Sequence, residues 1–158
     1  MIRGVHHVAL VTPDLERAIR FYRDGLGFTE VLQGGWRPGQ EGSDLFDNVV
    51  GLSASGAEAI MLSAGNLILE LFQYSSPLPQ DTMPRSEANM PGWRHICLDV
   101  ADIDDVYGRM CAAGGTFHAP PQNLGSLKAV YGRDPDGNLI EVMELMGEDH
   151  PMELKALK

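Results

Sequence analysis

Two stretches of the chain decide its fold: His7-Val-Ala-Leu-Val-Thr-Pro-Asp-Leu and His95-Ile-Cys-Leu-Asp-Val-Ala-Asp-Ile. They align residue by residue from the two histidines onwards. In each, a run of β-branched and apolar residues predicts a strand and leads into an aspartate. A segment with apolar residues at helical spacing then follows. A repeat of this kind indicates that the chain is built from two copies of one structural unit.

Each copy predicts a strand, a helix and then further strands. Thr12-Pro13-Asp14 predicts the start of the first helix, with the proline in the first turn. Glycines predict the helix ends, at Gly25 and Gly27 in the first copy and at Gly114 and Gly115 in the second. The later strands are predicted near residues 28–33, 48–52, 59–62 and 67–72, and near residues 116–118, 127–131 and 139–144.

The order of elements places a first module at residues 4–73 and a second module at residues 93–146. The proline-containing residues 74–92 are interpreted as a linker between them, and residues 147–158 as a C-terminal tail. The first module is longer, mainly through the glycine-rich and acidic segment Gly34–Asp47. Such a segment is either a substrate lid or a tolerated surface insertion, and both interpretations stay open.

The composition restricts the possible partners. A net charge of −10 with scattered basic residues argues against nucleic acid, because phosphate contacts need clustered Lys and Arg. No stretch approaches the roughly 20 apolar residues of a membrane span, and the start shows no secretory signal. We therefore expect a cytoplasmic protein with no membrane partner. Cys97 and Cys111 are too few for a disulfide framework, and we expect them to be buried, reduced thiols.

Each copy carries a histidine on its first strand and a glutamate in its last strand. These residues are His7 and Glu70 in the first copy, and His95 and Glu141 in the second. Taken singly, such a histidine more often packs or hydrogen-bonds within a core, and such a glutamate often faces solvent. Four of them at equivalent places predict instead that two imidazoles and two carboxylates hold one divalent metal ion. That donor set suits Zn, Ni, Co, Mn or Fe.

Three other residues are weaker candidates for the site. His6 is predicted to point to the opposite face of the strand from His7. Tyr131 and Trp93 could contact a substrate, although core packing is the preferred interpretation for both.

Over residues 4 to 146 the chain resembles the vicinal oxygen chelate superfamily, the group of glyoxalase I, methylmalonyl-CoA epimerase, fosfomycin-resistance proteins and extradiol dioxygenases. The resemblance is carried by the phrases His7-Val-Ala-Leu-Val-Thr-Pro-Asp-Leu-Glu-Arg-Ala-Ile-Arg-Phe-Tyr and Arg133-Asp-Pro-Asp-Gly-Asn-Leu-Ile-Glu-Val. It implies an α+β fold of two tandem βαβββ modules, which form cupped mixed sheets around a metal site. It also implies a homodimer that acts on a small molecule.

Within that superfamily the full set of four ligands implies proton transfer next to a carbonyl group. Glu141 is the expected base by analogy, and Glu70 is the second candidate. Val11 and Tyr74 stand where glutathione-dependent relatives carry an arginine and an asparagine, which argues against glutathione. The resemblance therefore favours a metal-dependent isomerase or epimerase acting on a small thioester or hydroxyketone. The alternatives are a lactoylglutathione lyase-like enzyme, an Fe(II) extradiol-type dioxygenase and a metal-free small-molecule binding protein.

Overall fold

The computed structural model describes residues 1–80 and 87–154, and the chain forms two compact units. The first sheet has the strand order β1-β4-β3-β2, with β1 parallel to β4 and the other neighbours antiparallel. Its elements, in chain order, are β1 (Val8–Val11), α1 (Leu15–Ile19) with a following π-helical turn (Arg20–Gly25), β2 (Thr29–Trp36), α2 (Ser43–Val50), β3 (Gly56–Ala64) and β4 (Leu67–Ser76).

The second unit repeats this plan. Its sheet has the order β5-β9-β8-β6, with β5 parallel to β9, and the short β7 pairs with β8. Its elements are β5 (His95–Asp99), α3 (Ile103–Ala112), β6 (Thr116–Phe117), β7 (Gln122–Asn123), β8 (Leu127–Arg133) and β9 (Leu139–Leu145). The predicted α+β fold with two βαβββ modules is confirmed.

The two helix starts show the repeat in atomic detail. Asp14 and Asp102 are the N-caps of α1 and α3, both with φ of −144°, and their side chains accept from the backbone N–H groups of Arg17 and Asp105. A side-chain oxygen thus satisfies one of the free N–H groups that every helix start leaves. Pro13 lies before the cap and not within the first turn, since α1 begins only at Leu15.

A second contact is repeated as well. The Gln73 Oε1 atom accepts a hydrogen bond from the Leu15 N–H at 2.8 Å. The Glu144 Oε2 atom accepts from the Ile103 N–H at 3.1 Å. Each acceptor stands three residues after the glutamate of its copy, so the last strand of each unit fixes the start of that unit's helix.

The core of each unit lies between its helix and one face of its sheet. Because side chains alternate along a strand, the other face of each sheet is left outside that core. In the first unit the fully buried side chains include Phe21, Tyr22, Ile60, Leu62, Leu69 and Leu71. In the second they include Ile103, Met110, Ile140 and Val142.

The strand predicted near residues 48–52 is wrong. Residues 48–50 belong to α2, and residues 51–52 follow its end. The helix also includes the end of the predicted loop Gly34–Asp47, while the loop's first three residues lie in β2. The helix is bounded by Gly42 and Gly51, whose φ values of 78° and 71° suit glycine. Its β-branched residues favour a strand locally, so tertiary contacts decide the helix.

The structure also bears on the predictions for the two cysteines and for the linker and tail. Cys97 and Cys111 are free thiols, as expected, but both are exposed and not buried. The predicted linker, residues 74–92, overlaps the end of β4, which continues to Ser76. Residues 81–86 of that linker, and residues 155–158 of the predicted tail 147–158, lie outside the described part of the chain. The module boundaries stay predictions. No helix in the described part is long and apolar enough to cross a membrane.

Candidate functional site

The first predicted pair meets on the sheet face away from the core. His7 directly precedes β1, and Glu70 lies in β4 between the buried Leu69 and Leu71, so its side chain points to the opposite face. The His7 Nε2 atom lies 3.3 Å from the Glu70 Oε2 atom. The histidine side chain is 38% exposed and the glutamate 14%, so both are accessible to a ligand.

His6 contributes to this pair in a way that strand alternation did not predict. Its Nδ1 atom lies 2.9 Å from the Nδ1 atom of His7, and the two rings meet edge to face. Both residues precede the first paired residue of β1, so the pleat does not separate them. The contact occupies the ring nitrogen of His7 that faces away from Glu70, which fixes the ring orientation.

The second pair has the same construction. His95 is the first residue of β5, and Glu141 lies in β9 between the buried Ile140 and Val142. The His95 Nε2 atom lies 3.1 Å from the Glu141 Oε2 atom, with side chains 32% and 19% exposed. The two pairs therefore occupy equivalent positions of the repeated unit.

The four predicted ligands thus come together as two pairs, each within its own unit. Among residues 1–80 and 87–154, no group of three or more His, Cys, Asp and Glu side chains is arranged to hold a metal ion. The assignment of all four to one ion stays a prediction. The donors themselves fit such an ion, because an imidazole nitrogen beside a carboxylate oxygen suits borderline divalent cations.

A family model described as the Glyoxalase/Bleomycin resistance protein/Dioxygenase superfamily matches residues 4–142. The chain belongs to this superfamily. A solved glyoxalase family protein from Bacillus cereus superposes with a TM-score of 0.82 at 22% sequence identity, covering 93% of this chain and 97% of that one. That similarity shows a shared fold.

Two epimerases are similar in sequence to this chain. The 2-epi-5-epi-valiolone epimerase of Actinomyces sp. is 30% identical over 108 residues, covering 64% of this chain and 54% of the epimerase. The mitochondrial methylmalonyl-CoA epimerase of Mus musculus is 31% identical over 104 residues, covering 63% of this chain and 47% of the epimerase. The matched region spans about half of each epimerase.

In this superfamily member, Glu141 has two polar neighbours on its sheet face. Cys97 in β5 and Tyr131 in β8 are its register partners on either side. Partial desolvation, followed by the charge and hydrogen bonding of Glu141 and the charge of Asp99, raises the pKa of Cys97 to about 12. Desolvation and then Glu141 also raise the pKa of Tyr131. Both side chains therefore keep their protons at neutral pH.

Sequence reasoning placed the aromatic residues of this region incorrectly. The Tyr131 ring lies 5.0 Å from the His95 ring, centroid to centroid and nearly perpendicular, on the face that carries the pair. Trp93 is 99% exposed, so core packing is wrong for it. Tyr131 is placed by the register between β8 and β9, which a single sequence does not display.

The face that carries Glu70 continues into an aromatic cluster, made of Trp36, Phe46, Phe72 and Tyr74. Phe72 and Tyr74 follow Glu70 at alternate positions of β4, so all three side chains share one face. The Trp36 ring stacks on Phe46 of α2 at 4.8 Å and meets Phe72 and Tyr74 edge to face at 6.2 and 6.0 Å. Desolvation and then the charge of Glu70 raise the pKa of Tyr74.

A hydrogen-bond network fastens α2 to this cluster. The Trp36 Nε1–H donates to the Ser55 Oγ atom at 2.8 Å, and the Ser55 hydroxyl donates in turn to Asp47 of α2. The Asp47 carboxylate also accepts from the backbone N–H groups of Ala54 and Ser55, each at 2.8 Å. The end of the segment that the sequence left open as a lid or an insertion therefore lies in a helix anchored beside the aromatic cluster.

Proposed function

We propose that the protein is a divalent-metal-dependent isomerase or epimerase that removes a proton from a carbon next to a carbonyl group. The observation that carries this proposal is the pair of equivalent His–Glu contacts, one on the sheet face of each unit that points away from its helix. The similarity to two epimerases supports it. In the proposal both pairs supply ligands to one ion, either in one chain or between the two chains of a homodimer.

The four side chains would divide the chemistry as follows. His7, His95, Glu70 and Glu141 would hold the ion, which when bound polarises the carbonyl oxygen of a substrate and stabilises negative charge there. One glutamate accepts the proton of the adjacent C–H bond, while the electron pair of that bond moves towards the carbonyl oxygen. Return of the proton to the opposite face of the same carbon gives an epimer. In a hydroxyketone, transfer of that proton to the former carbonyl carbon, with the hydroxyl proton passing to the former carbonyl oxygen, gives an isomer. The superfamily resemblance favours Glu141 as this base.

The apolar surface beside Glu70 favours a substrate whose part next to Glu70 carries no charge. Val11 is 51% exposed and is the register partner of Phe72, so both side chains stand on the site face. Tyr74 lies in the aromatic cluster, with its ring stacked at 5.8 Å on Phe72. An apolar and aromatic surface does not match the carboxylates of glutathione. It matches the acyl part of a thioester or the ring of a cyclic hydroxyketone better.

Two measurements on the full chain test the proposal. After purification and removal of metal by a chelator, the protein is titrated with Zn, Ni, Co and Mn salts, and bound metal is measured by elemental analysis. We expect about one ion per chain. The loaded protein is then incubated in D₂O with acyl-CoA thioesters, cyclitol ketones and hemithioacetals, and NMR follows deuterium at the carbon next to the carbonyl.

Each rival predicts a different outcome. Deuterium entering thioesters or hydroxyketones supports the proposal, whereas activity restricted to hemithioacetals of glutathione supports a lyase. Oxygen consumption with catechols in the presence of Fe(II) supports a dioxygenase. A folded protein that binds no metal at all supports a metal-free binding protein and refutes the proposal.

Site variants show whether the metal occupies the predicted residues. His7→Ala and His95→Ala should each lower bound metal well below one ion per chain, because each removes a nitrogen ligand. His150→Ala is the matched control, since His150 contacts the backbone N–H of Met152 in the C-terminal segment. Equal metal content in all three variants would show that the predicted ligands are wrong.

A further inference from the structure

The two glutamates differ in what stands beside them across the sheet. Glu141 has Cys97 and Tyr131 as its register partners. Glu70 has Ala9 and Met61 at the corresponding places, on β1 and β3. Ala9 and Cys97 each stand two residues after the histidine of their copy, so the comparison is between equivalent positions of the repeat.

This difference changes how firmly each carboxylate is held. Register partners on adjacent strands share a face, with Cβ atoms about 4.5 to 5.5 Å apart, so their side chains are in reach of each other. A thiol and a phenol can each donate to a carboxylate, whose two oxygens offer about four acceptor positions. Neither alanine nor methionine has a hydrogen-bond donor in its side chain.

A contact between Tyr131 and His95 adds one more restraint on the Glu141 side. The Tyr131 ring contacts the ring of His95, so this tyrosine touches both members of the second pair. Met61 stands at the corresponding place beside Glu70 and offers a flexible apolar contact instead. To rotate away from its partners, Glu141 would have to give up the donors of Cys97 and Tyr131, whereas Ala9 and Met61 offer Glu70 no side-chain hydrogen bond to lose.

We propose that Cys97 and Tyr131 are positioning residues that fix Glu141 as the permanent carboxylate ligand, and that Glu70 is the exchangeable ligand, free to leave the ion. The inference rests on the proposed function. It also reverses the assignment of the base that the superfamily resemblance favours, because the carboxylate that is free to move is the one able to reach a substrate proton.

Binding of Co(II) alone tests this division without any substrate. Co(II) is added to chelator-treated protein, and its visible absorption and dissociation constant are measured for the native chain and its variants. Cys97→Ala combined with Tyr131→Phe should weaken Co(II) binding about 10- to 100-fold and alter the spectrum, as loss of contacts that orient a ligand does in other metal sites. Cys97→Ser replaces the S–H donor with an O–H donor and should restore most of the affinity that Cys97→Ala loses.

The matched control lies in the other half of the repeat. Met61→Leu replaces an apolar partner of Glu70 with another, and it should leave both the affinity and the spectrum within about twofold of the native values. The glutamates themselves should separate in the same assay. Glu141→Gln should weaken Co(II) binding much more than Glu70→Gln does.

The outcomes distinguish this inference from the proposed function. If native protein binds no Co(II), the proposed function fails. If it binds Co(II) but the Cys97 and Tyr131 variants match the native spectrum and affinity, or if Glu70→Gln is the more damaging change, the division of roles fails while the metal site stands. Circular dichroism of each variant, recorded without metal, separates a lost contact from a lost fold.

Discussion

Replacing Trp36 with Phe should loosen α2 from the sheet and destabilise the chain. The indole is 6% exposed, donates through Nε1–H to Ser55 and stacks on Phe46 of α2. Phe keeps an aromatic ring on the same strand but has no N–H donor. The change therefore removes one buried hydrogen bond and part of one ring stack, and it leaves β2 otherwise intact.

The magnitude follows from these contacts. A buried neutral hydrogen bond contributes about 0.5 to 1.5 kcal/mol net. The smaller ring loses part of an aromatic pair worth about 0.5 to 1.5 kcal/mol, and roughly another 1 kcal/mol from the carbon atoms no longer buried. We expect a loss of about 2 to 3 kcal/mol in the free energy of unfolding, and a Tm lower by roughly 4 to 12 °C for a chain of this size.

The chain provides its own control. Trp93 is 99% exposed, so Trp93→Phe should change the free energy of unfolding by less than about 0.5 kcal/mol. In the Trp93→Phe background, tryptophan fluorescence comes from Trp36 alone. Urea unfolding of that variant, followed by fluorescence and by far-ultraviolet circular dichroism, therefore reports the surroundings of Trp36 directly.

A double-mutant cycle with Phe46→Leu locates the effect. If the stack on α2 matters, the Trp36 and Phe46 changes should be coupled by about 0.5 kcal/mol or more, because residues in direct contact do not add independently. A Trp36→Phe variant as stable as Trp93→Phe would refute the reasoning. A full loss of stability with no coupling to Phe46 would refute the role of the ring stack, and would place the effect elsewhere than in the Trp36–Phe46 contact.

Three further changes test the description of the units. The pKa of Asp47 lies below its usual 3.8, because the hydroxyl of Ser55 and then the backbone N–H groups of Ser55 and Ala54 donate to its carboxylate. These hydrogen bonds stabilise the folded chain fully above pH 3.8, the pKa of Asp47 in the unfolded chain. That stabilisation is lost as the pH falls through the lower pKa of the folded chain. Asp47→Asn should therefore reduce the acid dependence of urea unfolding relative to the native chain. Gly132→Ala should lower the free energy of unfolding by about 1 to 3 kcal/mol in a melting experiment, because the new Cβ would lie 2.6 Å from the Cδ1 atom of Phe117. Gly108→Ala in α3 meets open space and should raise the free energy of unfolding by up to about 1 kcal/mol. Gln73→Ala should cost about 1 kcal/mol by freeing the Leu15 N–H, with Gln33→Ala on the exposed β2 strand as the control.

Features that depend on near neighbours in sequence could be predicted. The helix starts at Asp14 and Asp102 follow from a cap residue placed directly before apolar residues at helical spacing. The positions of the two histidines and two glutamates follow from comparing the copies, since equivalent residues of a repeat fall at equivalent places in its fold.

Features that depend on distant contacts could not be predicted. Residues 48–52 contain two adjacent valines, which favour a strand by local propensity. The helix found there is held by Asp47 against Ser55 and by Phe46 against Trp36, all contacts from outside the helix. Likewise, the placement of Tyr131 beside Glu141 is set by the register between β8 and β9, which no local pattern in the chain displays.

The two copies share the contacts that hold helix and sheet together, and they differ in the residues beside the two glutamates. The N-caps and the Gln73 and Glu144 contacts fix each helix to its sheet, and a change there would cost stability in either unit. The sheet face that carries the glutamates has no such role within its unit, so the residues beside the glutamates could diverge without cost to the core of that unit. That freedom allows one copy of the repeat to hold its carboxylate through Cys97 and Tyr131 and the other to leave Glu70 unrestrained by its register partners. A site made from two identical halves would give both glutamates the same role, whereas unequal neighbours allow one to bind while the other transfers a proton.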